Sequence, residues 1–204
     1  APDEADIIAY NATPMAETRR WIESRPHVPA ISQSHGLYWE SYEWGGAEYA
    51  ANAQVIEGMR LADAVTAPTE WVANAIRRGM AHDVRVIPHG VDMSEFRPSP
   101  THEDYILWDK TRTDPVCDPR PLIALALALP DQRFVTTAAG PDQAGTFPPN
   151  VELRGRLPYG EARELTRNAG LYLCTSRETF GLATLQAMAA GVPVIGYRFA
   201  GQAE

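Results

Sequence analysis

The stretch "SRETFGLATLQAMAAGVPVIG", Ser176 to Gly196, decides the fold. Leu182, Leu185 and Met188 recur at helical spacing but are separated mostly by alanine, with no Lys or Glu to build a polar face. The helix is therefore expected to be buried. It follows the apolar run "LYLCTS", Leu171 to Ser176, and is succeeded by Gly191, a helix stop, and by the strand-like "PVIGY". Strand, helix and strand make a complete βαβ unit. The turn "RETFG" is thereby set at the carboxyl end of a parallel strand, where open α/β sheets bind ligands.

That turn suits an anion. The free N–H groups of Gly181, Leu182 and Ala183 at the helix start favour a phosphate, and glycine at 181 lets a diphosphate approach the backbone closely. Glu178 stands just before them, where a carboxylate would repel a phosphate. It faces either a group rich in hydroxyls, such as a sugar, or the helix start itself as a stabilising charge. Gln186 lies five residues into the helix, about 7.5 Å along its axis, comparable to the step from a diphosphate to a ribose. Its amide is either a partner for ribose hydroxyls or a satisfied core group.

Elsewhere the same rhythm recurs. "ADIIAYN" and Val28 to Ser32 read as strands, Ala47 to Leu61 as a helix, "DAVTA" as a strand, Glu70 to Arg78 as a helix closed by Gly79, and "VRVI" as a strand stopped by Pro88. The polar, proline-bearing segment from Val91 to Asp104 lacks periodicity and marks a domain boundary, giving residues 1–98 and 99–204. Beyond it come a strand at Tyr105 to Trp108, the irregular "DKTRTDPVCDPRP", a helix at Leu122 to Leu129, a strand at Arg133 to Ala138, the segment "VELRGRL", and a helix from about Tyr159 to Ala169. The alternation predicts an α/β fold of two Rossmann-like units with parallel sheets.

With 45% hydrophobic residues in 204, the chain can bury a core, and a formal charge of −8 gives no reason to expect a polyanion. The best basic cluster, Arg77 and Arg78, reads as a solvated helix end, so no broad nucleic-acid surface is expected. Cys117 and Cys174 read as reduced packing thiols rather than a disulfide, and no metal-ligand spacing is present. The longest apolar run, "LIALALALP" from Leu122, is too short to span a bilayer, and "APDEADIIAY" carries no leader pattern. A cytoplasmic protein without a transmembrane segment is expected, with peripheral membrane contact left open.

Residues Ser176 to Glu204 resemble the donor-site motif of the retaining GT-B glycosyltransferases of family 4, in which two Glu separated by seven residues enclose a Phe-Gly pair. Glu178, Phe180 and Gly181 match; the run from Ala187 to Ile195 and the closing Gly201 to Glu204 match as well. The second Glu is Gln186 here, which keeps an acceptor oxygen and loses the charge. "ADAVTAPTEWVANAIRRG" and "VRVIPHGVDMSEFRP" are similar to the family's segment that closes the first domain and enters the linker. The family's Gly-Arg and Lys-Gly cations after the first donor-domain strand are replaced by "LWDKTRTDP". Lys110 and Arg112 supply two charges there out of frame, either for a diphosphate or for Asp109 and Asp114.

The resemblance implies a GT-B architecture with both Rossmann-like domains incomplete, the chain corresponding to the middle of such an enzyme. It implies a hexosyltransferase that takes a nucleoside-diphosphate sugar as donor, needs no metal or cofactor and serves an unidentified acceptor. Glu178 would orient donor-sugar hydroxyls, Gly181 to Ala183 would receive the diphosphate, His35 would lie near the transferred sugar, and Arg156 and Leu157 would border the base. Gly140, at a strand end, is either a close approach to the nucleotide or a bare turn. His89, in place of the family's Asn, would form a turn with Gly90. The aromatic group Tyr38, Trp39, Tyr42 and Trp44 is either acceptor-facing or plain packing. A non-catalytic nucleotide- or sugar-binding module and a sugar-nucleotide epimerase of the same fold stay open as alternatives.

Overall fold

A computed structural model describes residues 4–12, 14, 16–35, 46–80, 82–114, 116–139 and 145–204. The chain divides into two units, Ala1–His89 with Glu204, and Gly90–Ala203.

The first unit alternates β1 (Ile8–Asn11), α1 (Ala16–Ser24), β2 (Ala30–Gln33), α2 (Gly46–Arg60), β3 (Ala64–Ala67), α3 (Glu70–Met80) and β4 (Val84–Val86). Its four strands pair in parallel in the order β1-β2-β3-β4, which requires a crossover between each neighbouring pair. Helix α1 escaped the sequence reading: it buries no residue completely, and its signal is only Trp21 and Ile22 laid against Ile8, Tyr10 and Ala30. In α3, Val72, Ala73 and Ile76 form one buried stripe, and the Thr69 hydroxyl caps the helix by accepting the Val72 N–H at 3.2 Å. Helix α2 approaches the end of β1 closely at Gly58, whose carbonyl accepts the Tyr10 hydroxyl at 2.6 Å. A Cβ at Gly58 would collide with the Ala12 carbonyl, so only glycine fits.

The second unit contains β5 (Ile106–Trp108), α4 (Arg120–Ala128), β6 (Phe134–Thr136), β7 (Val151–Leu153), α5 (Tyr159–Asn168), β8 (Leu171–Cys174), α6 (Leu182–Ala189), β9 (Val194–Gly196) and a 3-10 turn at Ala200–Ala203. All five strands are parallel in the order β7-β6-β5-β8-β9. Every residue of β6 is buried, as expected of a strand covered on both faces. The chain first builds outward from β5 through β6 to β7, then returns to the other side of β5 with β8. The carboxyl ends of β5 and β8 therefore flank the topological switch point, the place where open α/β sheets bind ligands. Trp108 and Tyr172 anchor the core beneath it, and Trp108 Nε1 donates to Thr175 Oγ1 at 3.0 Å.

One expectation needs correction. Only one face of α6 is buried: Ala183, Ala187 and the cap residue Ala190 pack with Leu107, Tyr172 and Val192, while Leu182 is 41% and Met188 58% exposed. The uncharged composition reflects small residues that let the helix lie close to the sheet, with the larger apolar side chains pointing away from it. Gly191, at φ +77°, ends the helix as its position in the sequence predicted.

Candidate active site

The switch point of the second sheet brings together residues that are far apart in sequence. Lys110 follows β5 and Glu178 follows β8; Lys110 Nζ lies 2.7 Å from Glu178 Oε1, with side chains only 11% and 27% exposed. The same carboxylate oxygen accepts the Ser176 hydroxyl at 3.0 Å. Burial is the largest single influence on both groups and opposes their charges, but mutual attraction outweighs it. With Ser176 also helping, Glu178 is held below the ordinary glutamate range, and Lys110 is raised above the ordinary lysine value.

Glu178 is therefore not the cap of α6. The helix begins at Gly181, in the left-handed region with φ 86° and ψ 51°, and no side chain caps it. The first three helical residues, Leu182, Ala183 and Thr184, have no intrahelical acceptor for their N–H groups; the Leu185 N–H is bonded to the Gly181 carbonyl. The positive end of the helix dipole is thus left without a carboxylate of its own, three residues beyond a carboxylate already neutralised by lysine. This is a neutral pair beside an anion-seeking helix terminus.

Of the two sequence readings of the cations, the residues divide. Arg112 is 64% exposed and pairs with Asp114 at 3.0 Å, whereas Lys110 reaches Glu178 and leaves Asp109 to accept the Thr137 hydroxyl at 2.7 Å. Asp114 also accepts the N–H groups of Val116 and Cys117, each at 2.9 Å, and the Val116 carbonyl accepts the Arg177 N–H at 2.9 Å. The loop after β5 is in this way tied to the turn after β8. Cys117 and Cys174 are both free and buried.

Phe180 and Gln186 are half-buried on the same turn and helix. Arg156 is exposed, and Leu157 lines an open groove of about 450 Å³ beside α5 with Tyr105, Arg154, Arg163 and Glu164. That groove shares no lining residue with the Lys110–Glu178 pair. Gly140 and the aromatic group Tyr38, Trp39, Tyr42 and Trp44 lie outside the described residues.

In the first unit, the carboxyl ends of β1, β2 and β4 gather Asn11, His35 and His89. His35 Nε2 lies 3.2 Å from Asn11 Oδ1, and the two imidazole centroids are 5.4 Å apart, tilted by 30°. Partial desolvation, then the neighbouring His35, pushes the His89 pKa down. The sequence reading had given His89 only a turn, because nothing in the local sequence links residues 35 and 89. Ser176 was also missed, although its place two residues before Glu178 was a usable signal. Among the described residues, no group of three or more His, Cys, Asp or Glu is arranged to hold a metal ion, and no helix is long and apolar enough to cross a membrane.

Two parallel α/β units, the second with the Lys110–Glu178 pair at its switch point, have the architecture of the GT-B glycosyltransferases. The model of Glycosyltransferase Family 4 matches residues 3–95, and that of Glycosyl transferases group 1 matches residues 144–204. The chain belongs to the family-4-like GT-B glycosyltransferases. Among solved structures it is similar to HepE of Anabaena in complex with UDP-glucose, with a TM-score of 0.71 and 17% identity over 97% of this chain and 61% of that one. TarM of S. aureus gives a TM-score of 0.69 and 19% identity over 84% of this chain and 37% of that one. An alpha-glucosyltransferase in complex with UDP-glucose and DNA containing an abasic site gives 0.68 and 13% over 98% of this chain and 63% of that one. Likeness at such identities concerns the fold, and the chain spans 37% to 63% of these proteins' lengths. No curated protein sequence matched the chain.

Proposed function

We propose that the chain forms the donor-binding centre of a retaining hexosyltransferase, which moves a sugar from a nucleoside-diphosphate sugar to an acceptor. The observation that carries this reading is the Lys110–Glu178 pair beside the uncapped N-terminus of α6. In it, the N–H groups of Leu182 and Ala183 receive the diphosphate, and Glu178 accepts hydroxyl hydrogens of the donor sugar. Lys110 and Arg112 offset the charge that develops on the departing diphosphate, an electrostatic contribution made by groups already in place. The acceptor hydroxyl attacks the anomeric carbon on the face from which the diphosphate leaves, and a phosphate oxygen takes its proton. The UDP-glucose in the HepE and alpha-glucosyltransferase complexes supports uracil as the first base to try. The buried, free thiols of Cys117 and Cys174 favour a reducing, cytoplasmic setting.

Thermal unfolding against UDP, GDP, ADP and dTDP tests the reading, because a ligand bound only by the folded state raises the midpoint by mass action. A rise with one diphosphate, abolished in Glu178→Ala for the corresponding sugar nucleotide, is expected. No rise with any of them would overturn it. Gln186 favours a second reading, a module that binds the sugar nucleotide without turning it over. Turnover gained in Gln186→Glu would reject that reading, and binding without turnover in both forms would support it.

A further inference from the structure

Gln202 ties together three elements behind the donor site. Its Nε2 donates to the carbonyl oxygens of Ser176 and Tyr197, each at 3.1 Å. Its Oε1 accepts the Cys174 thiol at 3.0 Å, and that sulfur accepts the Thr184 hydroxyl at 3.1 Å. Gln202 thus fastens the end of β8, the loop after β9 and the first turn of α6 to one another. Its Cβ lies 3.3 Å from where a side chain on Gly181 would begin. Just before it, Ala200 holds φ +48°, a left-handed conformation that costs an alanine about 1 kcal/mol. The strain is accepted where the bonds of Gln202 fix the turn.

Ser176 is used at both ends: its carbonyl is held by Gln202, and its hydroxyl donates to Glu178 Oε1. Lys110 bonds the same oxygen, and among the described residues Oε2 has no partner. We infer that Gln202 is a positioning residue for Glu178, acting through Ser176 so that Oε1 is clamped and Oε2 is presented to the donor sugar. The inference rests on the donor-site reading for what Oε2 meets, but the relay itself does not need a ligand. Sequence gives no sign of it, because the bond from Gln202 to Ser176 spans 26 residues and the middle positions of a Gly-x-x-Glu motif carry no obvious chemistry.

The test is the titration of the Glu178 carboxyl, followed by carbon-13 NMR in the full chain without ligand. Lys110 and Arg112 are the charged neighbours of Glu178. They are untouched in every variant compared. Ser176→Ala is expected to raise the Glu178 pKa by about 0.5 unit or more, since a hydrogen bond to the charged form is lost. Gln202→Met, which keeps the stem against Gly181 and discards the carboxamide, is expected to raise it similarly, with no further rise in the double variant. Should Gln202→Met fold poorly, Gln202→Leu discards the carboxamide without adding a charge near Glu178. An unmoved Glu178 in a folded Gln202 variant, or shifts that simply add, would overturn the relay. Calorimetry then separates the two claims: affinity for UDP-glucose is expected to fall about fivefold or more in Gln202→Met while affinity for UDP stays within twofold. Equal losses for both ligands would mean a collapsed turn and would also overturn the relay. If the wild-type chain binds neither ligand while the NMR coupling holds, the donor reading falls and the relay stands.

Discussion

Lys110 and Glu178 form a 2.7 Å ion pair across the β5–β8 switch point, 68 residues apart in sequence. Breaking it from one side leaves a half-buried charge behind, so Lys110→Met is expected to destabilise the chain by about 2 kcal/mol, between the exposed and fully buried extremes. The pH dependence follows from the two shifts. Because the folded pKa of Glu178 is depressed, its contribution is full above the unfolded value, about 4.3, and is lost as pH falls through the folded value. Because that of Lys110 is raised, its contribution is full below about 10.4 and is lost as pH rises through the folded value. Denaturant titrations of wild type and Lys110→Met should therefore differ by a constant amount from about pH 5.5 to 9.5 and converge as pH falls below about 4.3 and through the folded value of Glu178. A difference that persists unchanged at acid pH would show that the stem of Lys110, not its charge, is the source.

The helix N-terminus makes a separate demand on Gly181. At φ 86° an alanine is strained by about 1–2 kcal/mol, and its Cβ would press on Gln202 and on Thr184 Oγ1 at 3.3 and 3.4 Å. Gly181→Ala is expected to lower stability by that amount and to weaken UDP binding about tenfold. Gly160→Ala is the control: a Cβ there meets nothing within 4 Å, and in α5 it should raise stability by about 0.5–1 kcal/mol. Equal effects at both positions would remove the conformational argument.

How much of this was readable in advance depends on range. The βαβ unit from Leu171 to Tyr197 was legible because apolar period, glycine stop and strand run agree within one short segment, and the parallel character of the sheets followed from the alternation. Helix α1 was not, since Trp21 and Ile22 make too thin a stripe between polar residues to stand out from a loop. Glu178, Lys110 and Gly181 were singled out one by one. Their partnership was not, because a salt bridge across a switch point has no local signature and Lys110 had an equally near candidate in Asp109. The burial of α6 was overestimated for a related reason: a lack of charge shows that a helix can pack, whereas the extent of packing depends on what lies on its outer face.

The first unit offers its own titration. His89 lies 5.4 Å from His35, and partial desolvation followed by that neighbour lowers its pKa. Between the folded value and about 6.5 the unfolded chain binds more protons, so stability rises with pH through this window and falls as His89 is made to charge. The midpoint of thermal unfolding should drop between pH 7.5 and 5.5, and His89→Gln should flatten that drop. Identical slopes in the two proteins would show that other groups set it.

Tyr172 poses the last question. Its ring is fully buried with Tyr105, Leu107 and Val135, and its hydroxyl has no hydrogen-bond partner among the described residues. Burial, aided by nearby Asp109, pushes its pKa well above the ordinary tyrosine value, so the group is neutral at every usable pH. A buried hydroxyl without a partner costs about 1–3 kcal/mol of desolvation that nothing returns. Tyr172→Phe removes the hydroxyl and keeps the ring, so it is expected to leave stability unchanged or to raise it by about 1 kcal/mol. Denaturant unfolding reads this directly. A loss of more than about 1 kcal/mol would mean that the hydroxyl is bonded, with a water held beneath the switch point as the first partner to look for.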